Sequence, residues 1–212
     1  MKLRVPVLSS LIISIVSLFA FADFALAVSE SRVKAIYSLC VQCHGPNGAG
    51  NKSIEAPAIA GLPQWYIERQ LKNFRSGLRG THANDVAGMR MRPMAKHLRD
   101  DADLAAVATY VSKLPKNDLT TTVQGNIVKG EQSYAVCSAC HGADAKGMQA
   151  LNAPPLVGMS DWYLLKQLRN FKGGVRAGDP AKDPIGYAMY PIASGLDDES
   201  MNNVIAYIQA LK

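Results

Sequence analysis

Cys40-Val41-Gln42-Cys43-His44 and Cys137-Ser138-Ala139-Cys140-His141 contain every cysteine of the 212-residue chain. In each stretch two thiols stand three residues apart, and a histidine follows the second directly. That spacing suits covalent attachment of a c-type haem. Each thiol adds to one vinyl group of the porphyrin, and the adjacent histidine is held beneath the iron as its proximal ligand. The expected attachment residues are therefore Cys40, Cys43, Cys137 and Cys140. The expected proximal ligands of two haem c groups are His44 and His141. Other uses of paired cysteines fit less well. Structural zinc sites recur as separated Cys/His pairs, without a histidine abutting the second cysteine. A thioredoxin-like pair sits near a βαβ pattern, and no run here reads as one. Two plain disulfides in an exported protein leave both histidines without a role.

A haem iron with a proximal histidine has one more axial position, and methionine there raises the potential of a carrier. Met89, Met91 and Met94 are the candidates in the first half. The sequence repeats itself at an offset of 97, which superposes Cys40 on Cys137, Trp65-Tyr66 on Trp162-Tyr163, Gln70-Leu71 on Gln167-Leu168 and Asn73-Phe74 on Asn170-Phe171. Further on the offset becomes 98, and Met91-Arg92-Pro93-Met94 meets Met189-Tyr190-Pro191-Ile192. Met89 meets Tyr187 and Met94 meets Ile192, so only Met91 has a methionine counterpart. The expected distal ligands are Met91 and Met189, with Met94 as the alternative in the first half. The methionine is expected on a loop that returns over the haem, shaped by Gly88, Gly186, Pro93 and Pro191. A ligating imidazole usually gives its other N–H to an acceptor, and the backbone carbonyls of Pro57 and Pro154 are the candidates. His82 and His97 have no counterparts and read as surface histidines.

The elements that must position these residues are helical. The first helix of each half is expected to run into its motif, from about Ser31 and Lys129. A second begins near Pro63 in one half and behind Ser160 as N-cap in the other. These end near Gly77 and Gly173. In the last helices Leu104, Val107, Ala108, Val111 and Leu114 match Met201, Val204, Ile205, Ile208 and Leu211, one apolar stripe in each. No alternating strand pattern appears. Pro115 to Thr122 is polar and reads as a linker. The expected fold class is all-α, with two tandem domains over residues 28–117 and 118–212, each wrapped round one haem. About ninety residues make a small core, and the cofactor itself supplies part of it.

The chain opens with Lys2 and Arg4, an apolar run from Leu11 to Ala22, and Ala25-Leu26-Ala27. This is the pattern of a secretory signal peptide over residues 1–27, cut after Ala27, and it places the mature protein in the periplasm. Residues 28–115 carry 12 basic and 7 acidic side chains, and residues 116–212 carry nine of each. The positive first half favours reduced iron, so its haem is expected to have the higher potential. It also suits an acidic partner. Haem propionates nearly cancel the net charge, and no nucleic-acid motif is visible. The basic series Arg69, Lys72, Arg75, Arg79 recurs as Lys166, Arg169, Lys172, Arg176. It suits haem propionates, an acidic partner or simply a solvated face.

Two tandem CxxCH motifs, each followed by Tyr-x-x-x-Gln-Leu (Tyr66 to Leu71, Tyr163 to Leu168) and by a methionine seven residues before a leucine, resemble the cytochrome c4 family. The resemblance covers essentially the whole mature chain. It implies two class I cytochrome c folds across a pseudo-twofold interface with their haem edges close together. The family's methionine ligand falls on Met91 and Met189, and its Pro-x-Leu-x-Gly segment on Pro57 to Gly61, with Ile59 for leucine, and on Pro154 to Gly158. The function it implies is a periplasmic electron carrier, not an enzyme, working with redox proteins such as a terminal oxidase or a membrane quinol-oxidising complex. It is expected to associate with such complexes peripherally. The Gly-x-Arg-Gly near Arg79 also resembles haem domains that serve as subunits of dehydrogenases or oxidases. A dihaem peroxidase needs an openable iron, and a methionine for each haem argues against one.

Overall fold

Each half begins with a helix that starts at a side-chain cap and ends on a haem-motif histidine. Ser29 Oγ accepts from the Arg32 N–H and starts α1 (Glu30–His44). Asn126 Oδ1 accepts from the Lys129 N–H and starts α5 (Ile127–His141). The computed structural model describes residues 28–211, so the expected signal peptide lies outside the described residues. In order, α2 (Gln64–Ser76), α3 (Val86–Lys96) and α4 (Asp101–Ser112) complete the first half. The second is completed by α6 (Asp161–Lys172), α7 (Pro184–Tyr187), α8 (Met189–Ser194) and α9 (Asp198–Ala210). Among the described residues the β structure is two isolated bridges, Asn51 with Ala56 and Met148 with Ala153. No described helix is long and apolar enough to cross a membrane.

The two halves repeat one packing scheme. The terminal helix of each half packs on its motif helix, α4 on α1 and α9 on α5. The stripes expected on them are buried: Leu104, Val107 and Val111 in one, Met201, Val204, Ile205 and Ile208 in the other. Tyr37 meets Tyr110 with ring centroids 5.0 Å apart, and Tyr134 meets Tyr207 at 5.4 Å. The crossing is closer in the second half. A Cβ on Gly130 would stand 2.0 Å from the Asn203 carbonyl oxygen, so α5 can approach α9 only because residue 130 lacks a side chain. The first half has Val33 at the matching position.

Opposite charge fastens α1 to α4. Asp103 is almost fully buried and accepts from Arg32 Nη2 at 2.8 Å and from Arg99 Nε at 3.1 Å. The hydrogen bond from Arg32 holds its carboxyl down at about 2, with Arg99 helping against the cost of burial. A lowered folded-state pKa contributes stability above the unfolded value, near 4, that is lost as pH falls through 2. We expect the first half to lose about 1–2 kcal/mol of stability between pH 4 and pH 2, a figure discounted for solvent screening. We expect Asp103→Asn to abolish that part of the slope. Denaturant melts of both proteins across this range check the expectation.

The halves share one core. Leu62 and Tyr66 of the first half pack into the cluster of Tyr134, Met159, Leu164 and Val204. Ser160 stands at the N-cap of α6 but makes no cap bond. Its hydroxyl accepts instead from Ala58 N–H of the other half at 3.2 Å. Arg69 donates to the Asn152 carbonyl at 2.8 Å, and Lys166 is paired with Glu55. The linker is held as well. The Asp161 carboxylate accepts from the backbone N–H groups of Thr122 and Val123 and from the Thr122 hydroxyl. Burial raises the Asp161 pKa, but these backbone bonds together bring it below the usual carboxylate value.

Candidate haem sites

The CxxCH motifs form the last turn of α1 and of α5, so both cysteines and the histidine of each motif lie within one turn. None of the four cysteines is in a disulfide. Burial pushes the Cys40 and Cys137 thiols up to about 11. Gly45 and Gly142 end the helices with positive φ. Buried Tyr37 and Tyr134 donate their hydroxyls to the carbonyls of those glycines at 3.2 and 2.7 Å. The motif's exit is thereby fixed to the core.

The histidines are oriented as the sequence leads one to expect. His44 Nδ1 lies 2.7 Å from the Pro57 carbonyl oxygen, and His141 Nδ1 lies 2.8 Å from that of Pro154. A carbonyl only accepts, so Nδ1 carries the proton and Nε2 remains as the free coordinating atom. Burial lowers the pKa of both imidazoles, against the pull of the carbonyl, and favours the neutral form that binds metal.

Each histidine faces a cavity that reaches a methionine. In the second half a cavity of about 250 Å³ is lined by Cys137, Cys140, His141, Leu164, Met189 and Ile205, among others. In the first half two adjoining hollows of about 120 Å³ each share Cys40, His44, Pro57, Met91 and Met94. Met91 and Met189 are half-buried and Met94 is exposed. Met89, also exposed, reaches neither hollow. His97 lines the first cavity from an exposed position, a contact that reading it as a surface histidine missed.

The methionines lie on helices rather than on the expected loops. Met91 is in the middle of α3, with Pro93 inside the same helix. Met189 opens α8, where Pro191 falls in the first turn and its missing N–H is no loss. Asp85 caps α3 by accepting from Gly88 N–H at 3.0 Å, and Asp183 caps α7 through Gly186 N–H at 2.8 Å. A Cβ on Gly88 would stand 2.0 Å from Asp85 Oδ2. The glycine is required by the folded-back carboxylate.

These residues fit a covalently held haem. Protein interiors are close-packed, and an apolar void several times the volume of a water molecule is costly unless something fills it. Here the cavity space of each half touches a cysteine pair, a carbonyl-oriented histidine and a methionine. Polar groups are waiting too. Gln70 Nε2, Arg79 Nε and Asn170 Nδ2 are buried with no hydrogen-bond partner in the protein, and Gln70 and Arg79 line the first cavity.

The sequence profile of cytochrome c matches residues 31–115 and again residues 127–212. The chain belongs to the cytochrome c family. This cytochrome carries two such domains, and with them two covalent haem c groups. It is 34% identical over 182 residues to a thiosulfate dehydrogenase electron acceptor from Thiomonas intermedia, a match covering 81% of this chain and 77% of that one. It is 31% identical to cytochrome c4 from Thiocapsa roseopersicina, over 82% of this chain and 87% of the relative. Among solved structures, cytochrome c4 from Acidithiobacillus ferrooxidans superposes with a TM-score of 0.66 at 27% identity, covering 82% of this cytochrome and 99% of that chain. The thiosulfate dehydrogenase TsdBA from Marichromatium purpuratum superposes with a TM-score of 0.67 at 27% identity. That match covers 84% of this cytochrome but only 39% of the longer chain. The tandem cytochrome c architecture expected from the repeat is thus borne out.

The wall between the two cavities is what the sequence did not reveal. Tyr66, Met159 and Tyr163 line both the second cavity and one of the two hollows of the first. Arg79 and Arg176, the last members of the basic series, lie at this wall instead of in solvent. The signal was present as matched pairs in the repeat. Nothing in one strand of sequence said that the pairs face each other.

Proposed function

We propose that this dihaem cytochrome carries electrons between periplasmic redox proteins, with His44 and Met91 ligating one iron and His141 and Met189 the other. The observation that carries the reading is the pairing, on the walls of each cavity, of a carbonyl-oriented histidine with a methionine. An iron held from both sides binds no substrate, so the only change it undergoes is gain or loss of an electron. The haem supplies that redox chemistry. The chain's residues would hold each haem by two thioethers, supply its axial ligands and exclude water from its faces. The apparent export signal supports the periplasmic setting.

Relatives named as thiosulfate dehydrogenase electron acceptors support a dehydrogenase as electron donor. A second reading has the chain as a bound haem subunit. It is favoured by the match within the longer TsdBA chain and by 31% identity to an oxidase subunit, CcoP of Rubrivivax gelatinosus, of which this chain covers 55%. Co-purification with a larger redox protein would select the second reading, and isolation as a free protein the first.

The optical spectrum of the oxidised protein, with haem counted per chain, tests the ligation. The expected result is two haems, a full-strength sulfur-to-iron band at the near-infrared edge, and no carbon monoxide shift after reduction. A high-spin haem that binds carbon monoxide would overturn the carrier reading in favour of a peroxidase-like one.

A further inference from the structure

The two cavities meet solvent at mouths of different chemistry. At the first, Ile54, Glu55 and Arg90 line the hollow together with Lys166 of the other half. Arg90 Nη2 of α3 donates to the Ile54 carbonyl at 2.8 Å and lies 3.7 Å from the Glu55 carboxylate. Glu55 is paired in turn with Lys166 of α6. A charged bridge, Arg90–Glu55–Lys166, thus crosses this mouth, and Ile54 beside it is half-buried.

The repeat puts Leu151 in the place of Ile54, Asn152 in that of Glu55 and Ala188 in that of Arg90. Arg69 still reaches across the interface to the Asn152 carbonyl, but Ala188 has no group with which to continue a bridge. Leu151 is accordingly 53% exposed, and Val136 and Ile185, which line the same cavity, are 52% and 46% exposed. Among the described residues no exposed charged side chain lines this second cavity. The charges nearest in sequence are closed on one another, Lys146 with Asp144 at 2.9 Å and Lys182 with Asp179 at 3.1 Å. A protein that covered the first mouth would take linked charges out of water, which costs more than it returns unless new partners are supplied. One that covered the second would bury aliphatic surface, which is favourable in proportion to its area.

We propose that the mouth formed by Val136, Leu151 and Ile185 is the docking port of this cytochrome, that it receives an uncharged, apolar face surrounding the redox centre of another protein, and that the Arg90–Glu55–Lys166 bridge bars the same partner from the first mouth. Exchange with other proteins then goes by the His141 half, and the His44 half is reached only from within the molecule. The proposal rests on the dihaem carrier reading above and adds which half faces the partner. Charge decides the partner's chemistry. A rim without free charge offers nothing to an acidic or a basic patch, so association comes from apolar burial and depends little on salt.

A second copy of this chain carries such a face itself, and it is the probe. The measurement is electron self-exchange between oxidised and reduced copies, read from the concentration-dependent broadening of haem methyl resonances. One electron moves, and no bond is made or broken. Donor and acceptor are the same protein, so a substitution that shifts a potential leaves the driving force at zero. The native rate is expected to change little between low and high salt. Val136→Glu and Leu151→Glu each put a charge into the second mouth and are expected to slow exchange several-fold. Both positions are exposed, and either variant carries the test if the other does not fold. Ile127→Glu, at an exposed apolar position of α5 that lines neither cavity, controls for net charge and is expected to leave the rate in place. Leu39→Glu puts the same charge at the matched position of the first mouth and is expected to cost much less than Val136→Glu. Glu55→Gln with Arg90→Ala removes the bridge and is expected to speed exchange. A steep salt dependence, equal slowing by Leu39→Glu and Val136→Glu, or no gain on removing the bridge overturns the proposal. Haem count and the sulfur-to-iron band on the same samples report separately on the dihaem, His/Met reading, so its failure is distinguishable.

Discussion

A chain carrying Cys137→Ser together with Cys140→Ser is expected to hold one haem, and its second half is expected not to fold. The cavity beside those cysteines has a volume of about 250 Å³. Interior voids cost about 24 cal/mol per Å³, or about 6 kcal/mol for this one. A whole domain is typically stable by only about 5–15 kcal/mol, and one of about ninety residues sits toward the lower end. The void alone therefore removes most or all of the margin. Ile205 and Ile208 of α9 line the cavity directly, so their packing on that side depends on what fills it. The first half should suffer as well, since Leu62 and Tyr66 pack into the second-half core. Haem per chain, far-ultraviolet circular dichroism and limited proteolysis of the exported variant measure the effect. One haem with undiminished helicity and protease resistance would show that the protein closes this cavity without its cofactor, and the argument from volume would fail.

Met189→Ala is expected to remove one of the two sulfur–iron bonds while leaving both haems attached. The near-infrared-edge band should lose half its intensity. One haem in two should bind carbon monoxide after reduction, and its potential should fall, because methionine ligation is what raises it. Met201→Ala is the informative control. Met201 is 1% exposed in the α9 stripe, so it should lower stability by about 2–5 kcal/mol and leave the spectrum alone. In the first half, where Met91 and Met94 both line the hollows, Met91→Ala should behave as Met189→Ala does, and Met94→Ala should not. An unchanged band in Met189→Ala would remove that residue from the iron.

Much of this protein is legible in one dimension because its chemistry is local. Two thiols and an imidazole that must meet one porphyrin edge need fixed spacing within a helical turn, so Cys40, Cys43 and His44 announce themselves, as do Cys137, Cys140 and His141. The terminal helices were equally plain, since a stripe such as Leu104, Val107 and Val111 needs only the 3.6-residue period. The internal repeat supplied a further constraint. It paired Met91 with Met189 across nearly a hundred residues and pointed to the carbonyls of Pro57 and Pro154, which the structure finds within 2.8 Å of the histidines.

What tertiary structure alone decided lies where residues far apart in sequence meet. Ser160 has the composition of a helix cap, yet its hydroxyl serves Ala58 of the other half, because the interface there has a buried N–H to satisfy. The methionine segments read as loops from their glycines and prolines, but Asp85 caps the helix that carries Met91, and Met189 opens a helix that directly follows the one capped by Asp183. The basic series read as one face of a helix. In three dimensions it divides, Arg75 to a surface pair with Asp101, Arg79 and Arg176 to the centre of the molecule. Helical periodicity sets which way a side chain points from its own axis. It carries no information on whether a second domain stands there to bury it, and that depends on how the two haem-binding halves pack together.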